Sequence, residues 1–196
     1  MTESENFEER HMAVDGSHET VMDENRPWTC ELVRWSKDVL AAVLGAIVIV
    51  LFVVQPVKVA GISMEPEIQP QDRLLVNKFG YYFSDIGRGD IVVFWSTRDE
   101  SQSFIKRVVG LPGDRIEIRS GVVFVNEKRL SEPYLVRQLG GESHPVEVVS
   151  SQHYFVLGDH RNSSSDSRDW GSVPEQNIFG EAVFRYWPLE KMGRIE

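Results

Sequence analysis

The 196-residue chain reads as an all-β (mainly β) domain preceded by one N-terminal transmembrane helix. Two features of the sequence predict this. Val39 to Val54 is a run of sixteen apolar residues with no charged or amide side chain. Behind it, short segments rich in β-branched and aromatic residues recur between glycine and proline, the pattern of strands joined by tight turns.

The first element, residues 1–36, is an acidic leader. Met1 to Asp38 carries ten acids and four bases, a net of −6 against −9 for the whole chain. Few aromatic or β-branched residues are present to bury, so the leader is expected to be disordered. The remaining −3 makes the rest only mildly acidic, and nucleic acid is excluded as a partner because a binder shows a basic face. The single cysteine, Cys30, rules out a disulfide within one chain.

The second element is a transmembrane helix expected over residues 37–56. About 20 apolar residues cross a bilayer, and the run extended through Gln55 and Pro56 to Val57 reaches that length. It is apolar all round and lacks the polar stripe of a helix on a soluble core. A cleaved secretory signal would lie nearer the start, behind basic residues. Arg34 and Lys37 precede the run and Lys58 follows it, so the excess of bases places the amino terminus in the cytoplasm and residues beyond 56 outside.

The third element is an extracytoplasmic β-rich domain over residues 57–196. Strands are expected at Leu74–Asn77, Ile91–Trp95, Ser103–Val109, Arg115–Ile118, Val122–Asn126, His153–Leu157 and Glu181–Trp187. Gly87–Asp90, Leu111–Asp114 and Ser120-Gly121 supply the turns between them. Val57, Val59 and Ile62 suit either core packing or a groove for an extended peptide.

Ser63, in Gly61-Ile62-Ser63-Met64-Glu65-Pro66, follows the apolar run closely. A serine needs a base to become a nucleophile. Of the five histidines, His11 and His18 lie in the leader, on the far side of the expected membrane. His160 beside Asp159 offers a Ser-His-Asp arrangement, although adjacent residues in a turn seldom face each other. Lysine serves as the base when burial disfavours its charged form. Lys106 has Phe104, Ile105, Val108 and Val109 around it, suitable for shielding, while an isolated strand lysine is most often a solvated surface residue.

Three blocks in order, Ser63-Met64-Glu65-Pro66, Lys106 to Asp114 and Gly158 to Arg168, resemble bacterial type I signal peptidase, a peptidase family with a Ser-Lys dyad. The resemblance runs from about Val39 to Trp187. It implies a signal-peptidase-like catalytic domain in which Ser63 attacks the peptide carbonyl and Lys106 is the general base. Ser164 would hydrogen-bond and orient the lysine, and Asp166 and Arg168 would form a supporting ion pair. The backbone N–H of Ser63 would hold the oxyanion. Some members add a serine hydroxyl two residues earlier, where this chain has Gly61. Val59, Met64, Ile68, Phe104 and Ile105 match positions that line pockets for small side chains.

The chain departs from the family pattern at Glu67, often threonine, at His160, often asparagine, and at Asn162-Ser163, often Asp-Asn. What the resemblance implies is a single-pass serine endopeptidase of the inner or plasma membrane. It would remove signal peptides from exported preproteins after Ala-x-Ala, as a monomer in contact with membrane lipid and without cofactor or metal. The acidic leader and apolar run contradict a soluble repressor-type Ser-Lys protease. A membrane-anchored scaffold that has lost activity would not need all the catalytic side chains this chain retains.

Overall fold

The computed structural model describes residues 28–49, 53–97, 99, 101–135 and 141–195. By its internal contacts the chain divides into two units, Met1–Ala42 and Val43–Glu196. Helix α1 spans Trp28–Val48. Glu31, Arg34, Lys37 and Asp38 occupy its first half, and Val39, Leu40, Val43, Leu44 and Ile47 are exposed further along it. Among the described residues no helix is long and apolar enough to cross a membrane.

The bounds expected for that segment therefore change at both ends. Trp28–Ser36, taken as leader, is helical. Val54–Pro56, taken as the end of the span, belongs to strand β1, Val54–Lys58. Valine packs as well on a pleated sheet as in a membrane, so apolarity alone does not mark where the helix ends. Pro56 is tolerated there because β1 is an edge strand. The leader as far as residue 27, and residues 50–52, lie outside the described residues.

Twelve strands, every pairing antiparallel, make up the described β unit. After β1 come β2 (Arg73–Asn77), β3 (Ile91–Trp95), β4 (Ser103–Gly110), β5 (Arg115–Arg119) and β6 (Val122–Val125). Then follow β7 (Lys128–Arg129), β8 (His144–Val148), β9 (His153–Leu157), β10 (Val173–Pro174), β11 (Ile178–Trp187) and β12 (Gly193–Arg194). The larger sheet has the order β1-β2-β11-β3-β4-β9-β10, with β12 on β11, and the smaller β7-β6-β5-β8. Strand β2 alternates exposed and buried residues, as expected of a sheet with one face in the core. Three apolar clusters hold the strands, centred on Met64, Ile68 and Leu74, on Ile116 and Phe155, and on Phe94 and Val156.

This order matters for the chemistry. β4 lies between β3 and β9, so the lysine block runs beside the strand that leads into Gly158. β1 and β2 flank the loop that carries Ser63.

Candidate active site

The Ser63 loop is tied at its base, where Val59 N–H donates to the Asp72 carbonyl and Gln71 N–H to that of Val59. Within it Glu65 N–H donates to Ile62 and Ile68 N–H to Met64, which winds the chain into a tight turn. Met64 and Ile68 are fully buried and pin the turn to the core, leaving Ser63 half-buried and Gly61 exposed.

Lys106 lies on β4 opposite Val92 and is 2% exposed. Its Nζ donates to Ser63 Oγ at 2.6 Å. Phe104, two residues earlier, brings its ring centroid to 6.0 Å from that nitrogen. Burial pulls the Lys106 pKa down to about 8. The nearby carboxylate of Asp166 pushes it up, the Arg168 cation pushes it down and Asp159 pushes it up. Desolvation dominates because it disfavours the ammonium more than the neighbouring charges favour it.

The third block docks on the serine turn through main chain. His160 N–H donates to the Ser63 carbonyl at 3.0 Å. A β-carbon on Gly158 would sit 2.2 Å from Ser164 Oγ and 2.5 Å from Ser63 O, so only glycine fits. Asp166, wholly buried, receives the Arg168 fork at 2.8 and 2.9 Å and accepts from Gly158 N–H at 3.1 Å. It also caps helix α2, Ser167–Trp170, in a capping box with Asp169. Arg168 donates onward to the carbonyls of Arg161 and Ser164. The Asp166–Arg168 pair forms, and through Gly158, Arg161 and Ser164 it ties the block together.

Two expectations change. Among the described residues Ser164 Oγ is buried without a hydrogen-bond partner, so the bond expected from it to Lys106 is not formed there, while Lys106 bonds Ser63. Val59, Met64 and Ile68 are core residues, with 4%, 1% and 0% exposure. They pack where large apolar side chains gain most from burial. Of the five expected pocket residues, Phe104 and Ile105 are only half-buried, each packed against an apolar cluster.

The Ser-His-Asp alternative fails on geometry. Asp159 faces away from His160 and receives the Arg107 fork at 3.0 and 2.8 Å, both side chains being buried. His160 Nδ1 makes no hydrogen bond among the described residues and lies 3.8 Å from Glu65. The Arg107–Asp159 pair was not singled out in the sequence, although the charge immediately after Lys106 hinted at it. Arg107 stacks over Tyr134 at 4.0 Å, Tyr134 donates to Glu132 at 2.9 Å, and Glu132 pairs with Arg161. This cluster holds the start of the third block against β4. Among the described residues no group of His, Cys, Asp and Glu has the arrangement of a metal site.

A cavity of about 870 Å³, lined by Tyr81, Asp85, His153, Glu175 and Phe179 among others, has neither Ser63 nor Lys106 in its wall. The chemistry is therefore placed by the lysine and serine, not by volume.

The chain is 42% identical over 164 residues, 81% of its length and 75% of the relative's, to a protein of Synechocystis sp. named "Probable signal peptidase I-2". It is 39% identical to "Signal peptidase I" of Leptolyngbya laminosa, over 84% of each chain. Identity to "Signal peptidase IB" of Staphylococcus aureus is 32%, over 82% of this chain and 92% of that one. A crystal structure of a signal peptidase I from Enterococcus faecalis aligns with a TM-score of 0.45 at 32% identity, covering 51% of this chain and 98% of the other. The family described as signal peptidase, peptidase S26, matches residues 32–187. With these relatives sharing most of its length, the chain belongs to the signal peptidase family, peptidase S26.

Proposed function

We propose that Ser63 and Lys106 are the dyad with which this chain, a serine endopeptidase of the signal peptidase I kind, cuts signal peptides from exported preproteins. The observation that carries the reading is the 2.6 Å bond between a buried lysine, its pKa lowered to about 8, and the hydroxyl of a half-buried serine. Neutral Lys106 takes the proton of Ser63 Oγ as that oxygen attacks the scissile carbonyl. The resulting ammonium returns the proton to the leaving amine, and the acyl group stays on Ser63. Lys106, neutral again, deprotonates a water that attacks the ester and frees the serine. The backbone N–H of Ser63 serves the oxyanion, a role worth several kcal/mol when the donor is preorganised.

Substrate choice fits the same geometry. Phe104 and Ile105 precede Lys106 on β4 and are only half-buried, which makes them the candidates to meet the small side chains of a substrate. The apolar run that starts within α1 supports a single-pass anchor, with bases on its amino side favouring a cytoplasmic terminus and an extracytoplasmic β domain. Substrate held in the same bilayer by its signal peptide would reach Ser63 from the membrane surface.

The test is cleavage of a purified preprotein with an Ala-x-Ala site by wild type, Ser63→Ala and Lys106→Ala in detergent, the cut mapped by mass spectrometry. Cutting after the second alanine by wild type alone is expected. Activity surviving in Ser63→Ala would overturn the dyad.

A further inference from the structure

The serine turn has a second anchor, from β11, and nothing in the chemistry above uses it. Arg185 lies on β11 and is 9% exposed. Its Nη1 donates to the main-chain carbonyl of Glu67 at 2.6 Å and to Asp72 Oδ2 at 3.0 Å. Nη2 reaches Glu67 Oε1 at 3.3 Å, and Nε donates to the Lys191 carbonyl at 2.9 Å. One guanidinium thus joins the loop carrying Ser63, the residue leading into β2, and the turn after β11. Asp72 Oδ2 also accepts from Gln69 N–H at 2.9 Å, and Lys191 Nζ donates to Gln69 Oε1 at 2.7 Å.

We infer that Arg185 is a positioning residue for the nucleophile, fixing the five-residue path from Ser63 to Glu67 through the Glu67 carbonyl and Asp72. This rests on the Ser63–Lys106 reading. The turn is held at Ser63 O by His160 and at Glu67 O by Arg185. Between those points the main chain has little freedom to swing Ser63 Oγ off Lys106 Nζ. The planar fork suits this role because its donors are fixed relative to one another, whereas a lysine offers a single point of charge. Arg185 is not among the groups that move the Lys106 pKa. Its influence is therefore geometric, and a displacement of about 1 Å at a reacting group costs on the order of 100-fold in rate.

The experiment measures kcat and KM across pH for Arg185→Gln, Arg185→Lys and Glu67→Gln, with Ser63→Ala as control, on full-length protein in detergent. For Arg185→Gln, kcat is expected to fall about 10- to 100-fold with KM within about twofold, while the acidic limb of the pH profile stays in place. Arg185→Lys keeps a charge facing Asp72 and is expected to fold and still lose at least about fivefold. Glu67→Gln keeps the main-chain carbonyl and is expected to lose less than about threefold, because the 3.3 Å contact is the weakest of the set. Acylation by an activated ester of N-acyl-alanine should slow in step with kcat. Wild-type kcat in folded Arg185→Lys, or a fall in kcat that comes with a displaced pH limb, overturns the inference. If Ser63→Ala is inactive and both Arg185 variants are normal, the clamp alone fails. If Ser63→Ala still cuts, the dyad fails with it.

Discussion

The carbonyl oxygen of Ser63 lies 2.5 Å from the point where a β-carbon on Gly158 would be, so the main chain at Ser63 and the third block share a gap that admits only hydrogen. Gly158→Ala is expected to push the two apart. Overpacking of this kind costs about 3 kcal/mol, and displacing Ser63 by about 1 Å costs roughly 100-fold in kcat. A thermal melt beside an assay of the variant checks both, and wild-type kcat in Gly158→Ala would refute the fit.

As the proposed base Lys106 must be neutral to work, so kcat/KM is expected to rise about tenfold per pH unit and level off above its pKa of about 8. Arg168 holds that value down. Arg168→Gln also leaves Asp166 unpaired, and both changes move the limb to higher pH, by about one unit. A pH–rate series on both proteins decides it, and a limb that stays or moves down contradicts the electrostatics.

Lysine burial also carries a stability cost. Below about pH 8 Lys106 is charged in both folded and unfolded chains, and the folded chain bears the full desolvation penalty. Between about 8 and 10.5 the folded chain releases its proton first, so wild-type stability rises with pH across that window. Lys106→Met is therefore expected to be more stable than wild type at pH 7 by up to about 3 kcal/mol, with the advantage shrinking as pH approaches 10.5. Denaturant titrations at pH 7 and 10 check the sign.

Gly61 is exposed and a β-carbon there would meet nothing within 4 Å, at a backbone angle any residue adopts. Gly61→Ser is expected to fold normally and to raise kcat about tenfold by adding a hydroxyl near the oxyanion. That is less than the roughly 100- to 1,000-fold of a preorganised donor, because this hydroxyl rotates freely. A folded variant with unchanged kcat would place the oxyanion elsewhere.

Much of this was legible before any fold was known. The expected strands Ile91–Trp95 and His153–Leu157 match β3 and β9 residue for residue, because both are short segments rich in β-branched and aromatic residues, buried at every position except Trp95 and His153. β1 was hidden because Val54 and Val57 continue an apolar run that reads as membrane helix. β8 was missed because Val146 and Val148 are exposed and Pro145 interrupts the pattern. Ser63, Lys106, Asp166 and Arg168 stand in three blocks of neighbouring residues, and the fold brings Lys106 to Ser63 and Arg168 to Asp166. Arg185 lay outside them, 118 positions from its partner Glu67, a pairing that only the sheet order creates. Val59, Met64 and Ile68 were assigned to pockets, since apolar character does not distinguish a cavity wall from a core.

The depressed Lys106 pKa arises from enclosure by the finished β domain, with Ser63 delivered to it across 43 positions of sequence. In an unfolded or half-made chain the same lysine is an ordinary ammonium and the serine an ordinary alcohol, with nothing to bring them together. If Ser63 and Lys106 are the dyad proposed above, the protease stays inert until its β domain has folded. Its fold acts as the safety catch, since only the folded chain brings Lys106 Nζ to Ser63 Oγ.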